Sequence, residues 1–366
     1  MKIVQVISSL ANGGAEKFIV ELSNELSLSN QVLLISIKDI EDWMYPPQYL
    51  SKRVNLLTLG KKKGFDLNVL SELYKLLRSQ EPNVVHIHLN MSMYYFLPLI
   101  PLFQKIKFFF TIHNTFGPHK KLLANFSRLP FYRRVSNICL TEGIYKLFNE
   151  EFPKLYFYKI ENGIKRENNK QYYDDLKKEI EELKVGFKYI YLFVGRFSYQ
   201  KNIPLLLDVF SDASLADSKL IIIGDGNEEI KTTVIRQSAL TNNRIQYLGK
   251  KKNIFDYMNS VDALVLTSRH EGLPIVLLEA LSVGLPIISS PVGGILDVID
   301  NEINGFLSKG LTKQEMIDAI AEFRLLEPSQ IDIMKNNNLN EFSNKYSIEI
   351  CSEKHIRLYT EVCKHG

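Results

Sequence analysis

The chain has 366 residues, 45% of them hydrophobic and 23% charged, a composition that supports a full packed core and excludes a disordered chain, a disulfide-stapled miniprotein and a fibre. At roughly 100–200 residues per domain, the length points to two domains. The net charge of +4 hides an uneven split, +8 over residues 1–160 and −4 over the rest, so the first half is the one suited to an anionic partner. No carboxylate occurs between Glu81 and Glu142, where Lys105, Lys107, Lys120, Lys121, Arg128, Arg133 and Arg134 all lie. Cys139, Cys351 and Cys363 are too few and too scattered for a disulfide framework or a zinc cluster, and read as reduced thiols of a cytosolic protein.

Lys2 is followed by only five strand-like residues before Ser8 and Ser9, so no secretory leader is expected. The longest apolar region, 91–103, contains Pro98 and Pro101 and falls short of the roughly 20 residues that cross a bilayer. Strands are predicted at Lys2–Ser8, Gln31–Ile37, Val84–Leu89, Lys107–His113 and Asn137–Leu140. Between the first two, Ala15, Phe18, Ile19, Leu22 and Leu26 follow helical spacing. This βαβ rhythm predicts a parallel sheet with helices on both faces. It breaks at Glu161-Asn162-Gly163-Ile164, and the charge-dense stretch Lys165–Leu183 reads as a linker with a surface helix. The rhythm restarts with strands at Tyr189–Val194, Lys219–Ile223, Ile245–Leu248, Ala263–Thr267 and Pro286–Ser289, and Ser347–Cys363 has the spacing of a final amphipathic helix.

Ligands of open α/β sheets bind beyond the carboxyl ends of the strands. Three motifs lie there. Asn12-Gly13-Gly14-Ala15-Glu16 separates the first strand from its helix; its glycines let the backbone approach a phosphate, although an ordinary tight turn uses the same residues. Gly195-Arg196-Phe197-Ser198-Tyr199-Gln200-Lys201-Asn202 brings two cations to the start of a helix, which suits a diphosphate or makes a plain surface pair. In Ser268-Arg269-His270-Glu271-Gly272-Leu273-Pro274-Ile275-Val276-Leu277-Leu278-Glu279, Pro274 opens a helix and Glu279 lies about a turn and a half into it, among apolar neighbours. A carboxylate there needs a ligand or a structural ion pair. Gly224-Asp225-Gly226 ends another strand, and with Asn227 in place of a second acid it cannot act as a metal-holding Asp-x-Asp.

Taken together, Gly13-Gly14-Ala15-Glu16, Gly195-Arg196 with Lys201, and Glu271-x7-Glu279 containing Glu-Gly-Leu-Pro resemble the family-4 retaining glycosyltransferases, over essentially the whole chain and in order. The resemblance implies the GT-B fold, two Rossmann-like domains facing across a cleft, with the final helix crossing back to the first domain. It implies that Glu279 takes the ribose hydroxyls, Glu271 contacts the donor sugar, and Arg196 and Lys201 hold the diphosphate. Amides at Gly14 and around Leu273, Pro274, Ile275 and Val276 complete those contacts, with Gly13, Gly224 and Gly272 in the same loops, and Lys250 lies where the base is received. His113, ending the strand of Thr111-Ile112-His113-Asn114, resembles the cleft histidine near donor sugar and acceptor, whereas His86 and His88 read as core residues of their strand. This chain departs from the family at Lys165, where Asp commonly follows the hinge, and at Asn202, where Gly commonly follows the lysine.

The expectation is therefore an α/β protein with an acceptor-binding domain, 1–164 joined by a helix at about 347–366, and a donor-binding domain, 165–346. As an enzyme it would be a retaining, metal-independent hexosyltransferase using a UDP- or GDP-sugar and no cofactor. Its acceptor would be a saccharide or lipid-diphosphate-linked saccharide in surface polysaccharide or glycolipid assembly, with no nucleic acid partner. A sugar-nucleotide epimerase of the same fold and a non-catalytic nucleotide-sugar binding protein are the alternatives. The acid-free window, with Met93, Tyr94, Tyr95, Phe96, Phe116, Phe126, Phe131 and Tyr132, reads either as core with solvated cations or as a face for an anionic membrane, which would make a cytoplasmic protein peripheral on the inner face of the plasma membrane.

Overall fold

A computed structural model describes residues 1–11, 13–40, 47–113, 118–166, 178 and 180–365. The chain forms two compact units, Met1–Lys165 with Lys345–Gly366, and Arg166–Asn344. Most of the stretch expected to link them, 167–177 and 179, lies outside the described residues.

In the first unit seven parallel strands run in the order β3-β2-β1-β4-β5-β6-β7. They are β1 Lys2–Ile7, β2 Gln31–Ser36, β3 Val54–Thr58, β4 Val84–His88, β5 Lys107–Ile112, β6 Val135–Cys139 and β7 Tyr156–Lys159. The central strands are covered on both faces, which is why they read as nearly continuous apolar runs. Phe18, Ile19, Leu22 and Leu26 of helix Gly14–Leu26 are buried on the periodicity expected of them.

The C-terminal helix, Ile348–His365, packs on helix Gly14–Leu26 and on β5, burying Ile348, Cys351, His355, Leu358 and Tyr359 at helical spacing. Its entry is stitched to the hinge: Ile164 N–H donates to the Tyr346 carbonyl at 3.0 Å and Ile348 N–H to the Ile164 carbonyl at 2.9 Å. Gly163 is small for a reason, since a Cβ there would collide with the Ser347 carbonyl and the Cys351 side chain.

The second unit repeats the design with six parallel strands in the order β10-β9-β8-β11-β12-β13. These are β8 Tyr189–Val194, β9 Ser218–Ile223, β10 Ile245–Tyr247, β11 Ala263–Leu266, β12 Ile287–Ser289 and β13 Gly305–Leu307. The connections run in opposite directions from β8 and β11, so the loops after these two strands flank the switch point of the sheet, the position where open α/β sheets bind ligands.

Those two loops are tied together. Arg269 N–H donates to the Gln200 carbonyl at 2.8 Å, and the Thr267 hydroxyl to the Lys201 and Asn202 carbonyls at 3.2 and 3.3 Å. Arg269 Nη2 donates to Asn202 Oδ1 at 2.7 Å while its guanidinium stacks over Tyr199 at 4.5 Å. Asn202, at φ 51° and ψ 45°, adopts the left-handed conformation as it caps helix Ile203–Phe210. The departure from glycine after Lys201 is thereby explained: Asn tolerates this conformation better than most residues, and its amide gains the arginine. Asn202→Ala should cost about 2 kcal/mol in urea unfolding, the left-handed strain plus one hydrogen bond, and Asn202→Gly less. A glycine variant less stable than the alanine variant would contradict this account.

Candidate donor site

Between the loops after β8 and β11 sits a buried carboxylate. Glu271, 4% exposed, accepts from Lys201 Nζ and Ser268 Oγ, both at 2.6 Å, through Oε1, and from Gln200 Nε2 at 3.0 Å through Oε2. Such pairs keep their ionic form in a low-dielectric setting only when the remaining lone pairs are also satisfied, and here three donors do so. Lys201 is half-buried; with one N–H committed to Glu271, its ammonium still has two donors to offer. The loop is braced from behind, since Ser290 Oγ donates to the Ser268 carbonyl at 2.7 Å. Gly293, at φ +53°, presses so closely on the Glu271 carbonyl that a Cβ would clash with it.

Pro274 caps helix Ile275–Ser282, whose eight residues are all buried. Gly272, Leu273 and Pro274 form the buried turn before it. The first-turn amides of a helix lack intrahelical acceptors, so Ile275 and Val276 present N–H groups at the positive end of the helix dipole. Glu279, 6% exposed, lies one turn further on, in a place where a charge needs a partner. Arg196 is exposed beside the buried anchor Phe197 and has no hydrogen-bonding or ionic partner among the described residues.

The neighbouring loop closes on the same side. Gly224 N–H donates to the Gly249 carbonyl at 2.9 Å and its own carbonyl accepts from Tyr247 OH at 3.1 Å. Lys250, 65% exposed, is drawn to Asp225 Oδ2 at 3.3 Å, while Asp225 Oδ1 meets Lys231 at 3.2 Å and the Gly226 N–H at 2.8 Å. Burial opposes ionisation of Asp225, but the Gly226 amide and the two lysines outweigh it and hold the carboxyl below the usual range. Among the described residues, no three His, Cys, Asp or Glu side chains are grouped to hold a metal ion.

Arg196, Lys201, Glu271 and Lys250 thus fall in loops at the carboxyl ends of β8, β10 and β11, and Glu279 lies one turn into the helix that follows β11. Sequence reasoning assigned no role to Gln200, Ser268, Ser290 or Gly293. Gln200 and Ser268 stand beside Lys201 and within three residues of Glu271, a proximity that was the available signal; Ser290 and Gly293 gave none, because only the sheet brings them to the loop.

The first unit holds the remaining residues. Gly13 caps helix Gly14–Leu26 with Lys17 N–H on its carbonyl at 3.0 Å, and the Glu16 carboxylate folds back against it; Asn12 lies outside the described residues. His113 follows β5 half-buried, with Nε2 3.1 Å from His88 Nδ1, while Asn114 lies outside the described residues. His86 and His88 are fully buried core residues, and burial, with repulsion from nearby imidazoles, holds both well below the ordinary histidine range.

Much of the acid-free window serves the fold. Met93, Tyr95, Phe96, Phe126 and Tyr132 are core; Lys120 pairs with Glu151; and Arg134 donates to the Ile100 and Phe103 carbonyls at 2.9 and 3.0 Å. Lys105, Lys121, Arg128, Arg133 and Tyr94 are exposed, and Phe116 lies outside the described residues. Among the described residues no helix is long and apolar enough to cross a membrane.

Comparison with known proteins gives this arrangement a family. Residues 12–164 match the model described as Glycosyltransferase Family 4 and residues 174–340 the model described as Glycosyl transferases group 1. An uncharacterized glycosyltransferase of Methanocaldococcus jannaschii is 29% identical over 175 residues, 47% of this chain and 48% of its own, so the chain spans about half the length of that relative. The UDP-Gal:alpha-D-GlcNAc-diphosphoundecaprenol alpha-1,3-galactosyltransferase of Escherichia coli is 27% identical over 317 residues, 81% of this chain and 80% of the other. In fold, a glycosyltransferase from Rickettsia africae matches with a TM-score of 0.83 at 18% identity, covering 100% of this chain and 99% of that one. Anabaena HepE, solved with UDP-glucose, matches with a TM-score of 0.79 at 17% identity, covering 99% and 100%. The chain belongs to the family-4 glycosyltransferases and has their GT-B fold of two Rossmann-like domains.

Proposed function

We propose that the chain is a retaining, metal-independent hexosyltransferase that uses a nucleotide diphosphate sugar and acts in surface polysaccharide or glycolipid assembly. The second unit is the donor-binding domain and the first the acceptor-binding domain. The observation that carries this reading is the constellation at the β8/β11 switch point: a lysine pinned by a buried glutamate, and a second buried glutamate behind a helix N-terminus. Cleavage of the anomeric bond loads negative charge onto the departing diphosphate. Lys201, Arg196 and the amides of Ile275 and Val276 are the groups that would stabilise it, and loss of one such donor costs about 3 kcal/mol of barrier. Glu279 would accept from the ribose hydroxyls and Glu271 would both hold Lys201 and face the sugar. The base would lie by Gly249 and Lys250, and His113 would act at the acceptor.

The UDP-glucose complex of HepE and the UDP-Gal donor of the E. coli relative favour a UDP-sugar, and the latter's diphosphoundecaprenol substrate favours a lipid-diphosphate-linked saccharide as acceptor. Both matched family models are those of transferases, which favours transfer over epimerisation or binding alone.

A thermal-shift screen of UDP-, GDP- and ADP-sugars tests the donor, because a ligand at 100 times its Kd stabilises by about 2.7 kcal/mol. The same nucleotide should bind Glu279→Ala more weakly by roughly 1.5–3 kcal/mol, and turnover of the wild type should survive EDTA. Undiminished affinity in the variant, or activity abolished by EDTA and restored by magnesium, would overturn those parts of the reading.

The exposed cations Lys105, Lys121, Arg128 and Arg133 are the part of the basic window left to meet anionic lipid, at about 1 kcal/mol each near such a surface. Wild-type protein should sediment with anionic liposomes at low salt, and the combined Lys121→Ser, Arg128→Ser, Arg133→Ser variant should not. Wild-type protein that stays in the supernatant would leave a soluble acceptor as the better choice.

A further inference from the structure

The first unit carries a buried chain of hydrogen bonds that donor binding does not use. Gln5 of β1 is the register partner of His86 in β4, and His88 that of Thr111 in β5. Gln5, His86, His88, Thr111 and Tyr359 of the C-terminal helix are each no more than 1% exposed. Phe18 of helix Gly14–Leu26 packs edge-on against His88 and His113, with ring centroids 6.1 Å from each. These side chains are therefore shut off from solvent, and the bonds lead out only to the half-buried His113.

The polarity of those bonds follows from donor and acceptor chemistry. Gln5 Oε1 can only accept, so His88 Nε2, at 2.8 Å, must carry a proton. A neutral imidazole has one N–H, and burial keeps His88 neutral, so its Nδ1 is a lone pair. That lone pair accepts from His113 Nε2 at 3.1 Å, which must be protonated in turn. At the other end Gln5 Nε2 donates to Tyr359 OH at 3.4 Å, and His86 lies between two hydroxyls, Tyr359 OH 2.6 Å from Nδ1 and Thr111 Oγ1 2.7 Å from Nε2, which suit either of its neutral tautomers. With Oε1 of Gln5 facing His88 and Nε2 facing Tyr359, this arrangement satisfies every bond.

We infer that Gln5 and His88 are positioning residues that hold His113 in its Nε2–H tautomer, with the far end of the Gln5 amide bonded to Tyr359 of the C-terminal helix. The neutral imidazole of His113 then carries its lone pair on Nδ1, where it accepts a hydrogen bond from a hydroxyl and cannot donate one. This assignment rests on the reading of His113 as the residue that acts at the acceptor, and it gives the C-terminal helix a task beyond packing.

The test is a long-range ¹H–¹⁵N correlation spectrum of the full chain labelled with ¹⁵N-histidine, the His113 signals being assigned by their loss in His113→Ala. The expected pattern is that of a single Nε2–H tautomer for His113 in the wild type and a mixture in Gln5→Leu and Tyr359→Phe. A wild-type Nδ1–H pattern, which is what the chain would give with every bond reversed, overturns the inference even if neither variant folds. So does an unchanged single tautomer in Gln5→Leu. In activity, Gln5→Leu should lower turnover at saturating donor about tenfold, the factor of one hydrogen bond, with nucleotide affinity unchanged. Wild-type turnover in His113→Ala, beside the expected spectrum, would refute the acceptor role of His113 and leave the tautomer assignment standing.

Discussion

The candidate donor site depends on one buried ion pair, Lys201 with Glu271. Two charges withdrawn from water are stable together only when each meets a partner of good geometry, and stripping one of them costs about 3–5 kcal/mol because the other is left bare. Glu271 meets that condition with Ser268 and Gln200 as further donors. The consequence is geometric: a cation that would otherwise sweep through several rotamers is fixed at the switch point before any ligand arrives. A preorganised charge of this kind needs no reorganisation as negative charge grows on a leaving group, which is the usual source of electrostatic catalysis.

The two sheets solve the same problem differently. Both have their reversal of strand order beside a central strand, β1 in one and β8 in the other, and both gather polar residues there. The second sheet uses ions held at loop ends. The first uses neutral groups inside the sheet, where burial keeps His86 and His88 uncharged and hydrogen bonds, rather than charge, set their orientation. His355 on the C-terminal helix follows the same rule, its imidazole pushed down to about 4 by burial while Nδ1 bonds the Cys351 carbonyl at 2.8 Å.

Ten of the thirteen strands among the described residues were legible in the sequence within about two residues, because interior strands of parallel sheets are continuous β-branched and aromatic runs. The three that were not, β3, β7 and β13, all lie on sheet edges. Asn55 and Tyr156 face solvent there, and Gly305 opens a strand of only three residues, so none shows the run that marks a buried strand. The position of the candidate donor residues at strand ends was legible because they follow strands directly and form a spaced motif. Their bracing was not: Ser290 and Gly293 reach Glu271 only through the pairing of β11 with β12. The hydrogen-bonded chain from Gln5 to His113 was equally hidden, since it joins residues 354 apart, and a lone glutamine in a strand carries no local signal.

A double-mutant cycle on Lys201→Met and Glu271→Gln, read by calorimetric titration with the nucleotide that the donor screen identifies, tests the central claim most directly. If Glu271 acts by holding Lys201 for the diphosphate, the two losses of affinity overlap and the coupling exceeds about 1 kcal/mol. Strictly additive losses would mean that the two residues serve the ligand independently and that the buried pair does not organise the site.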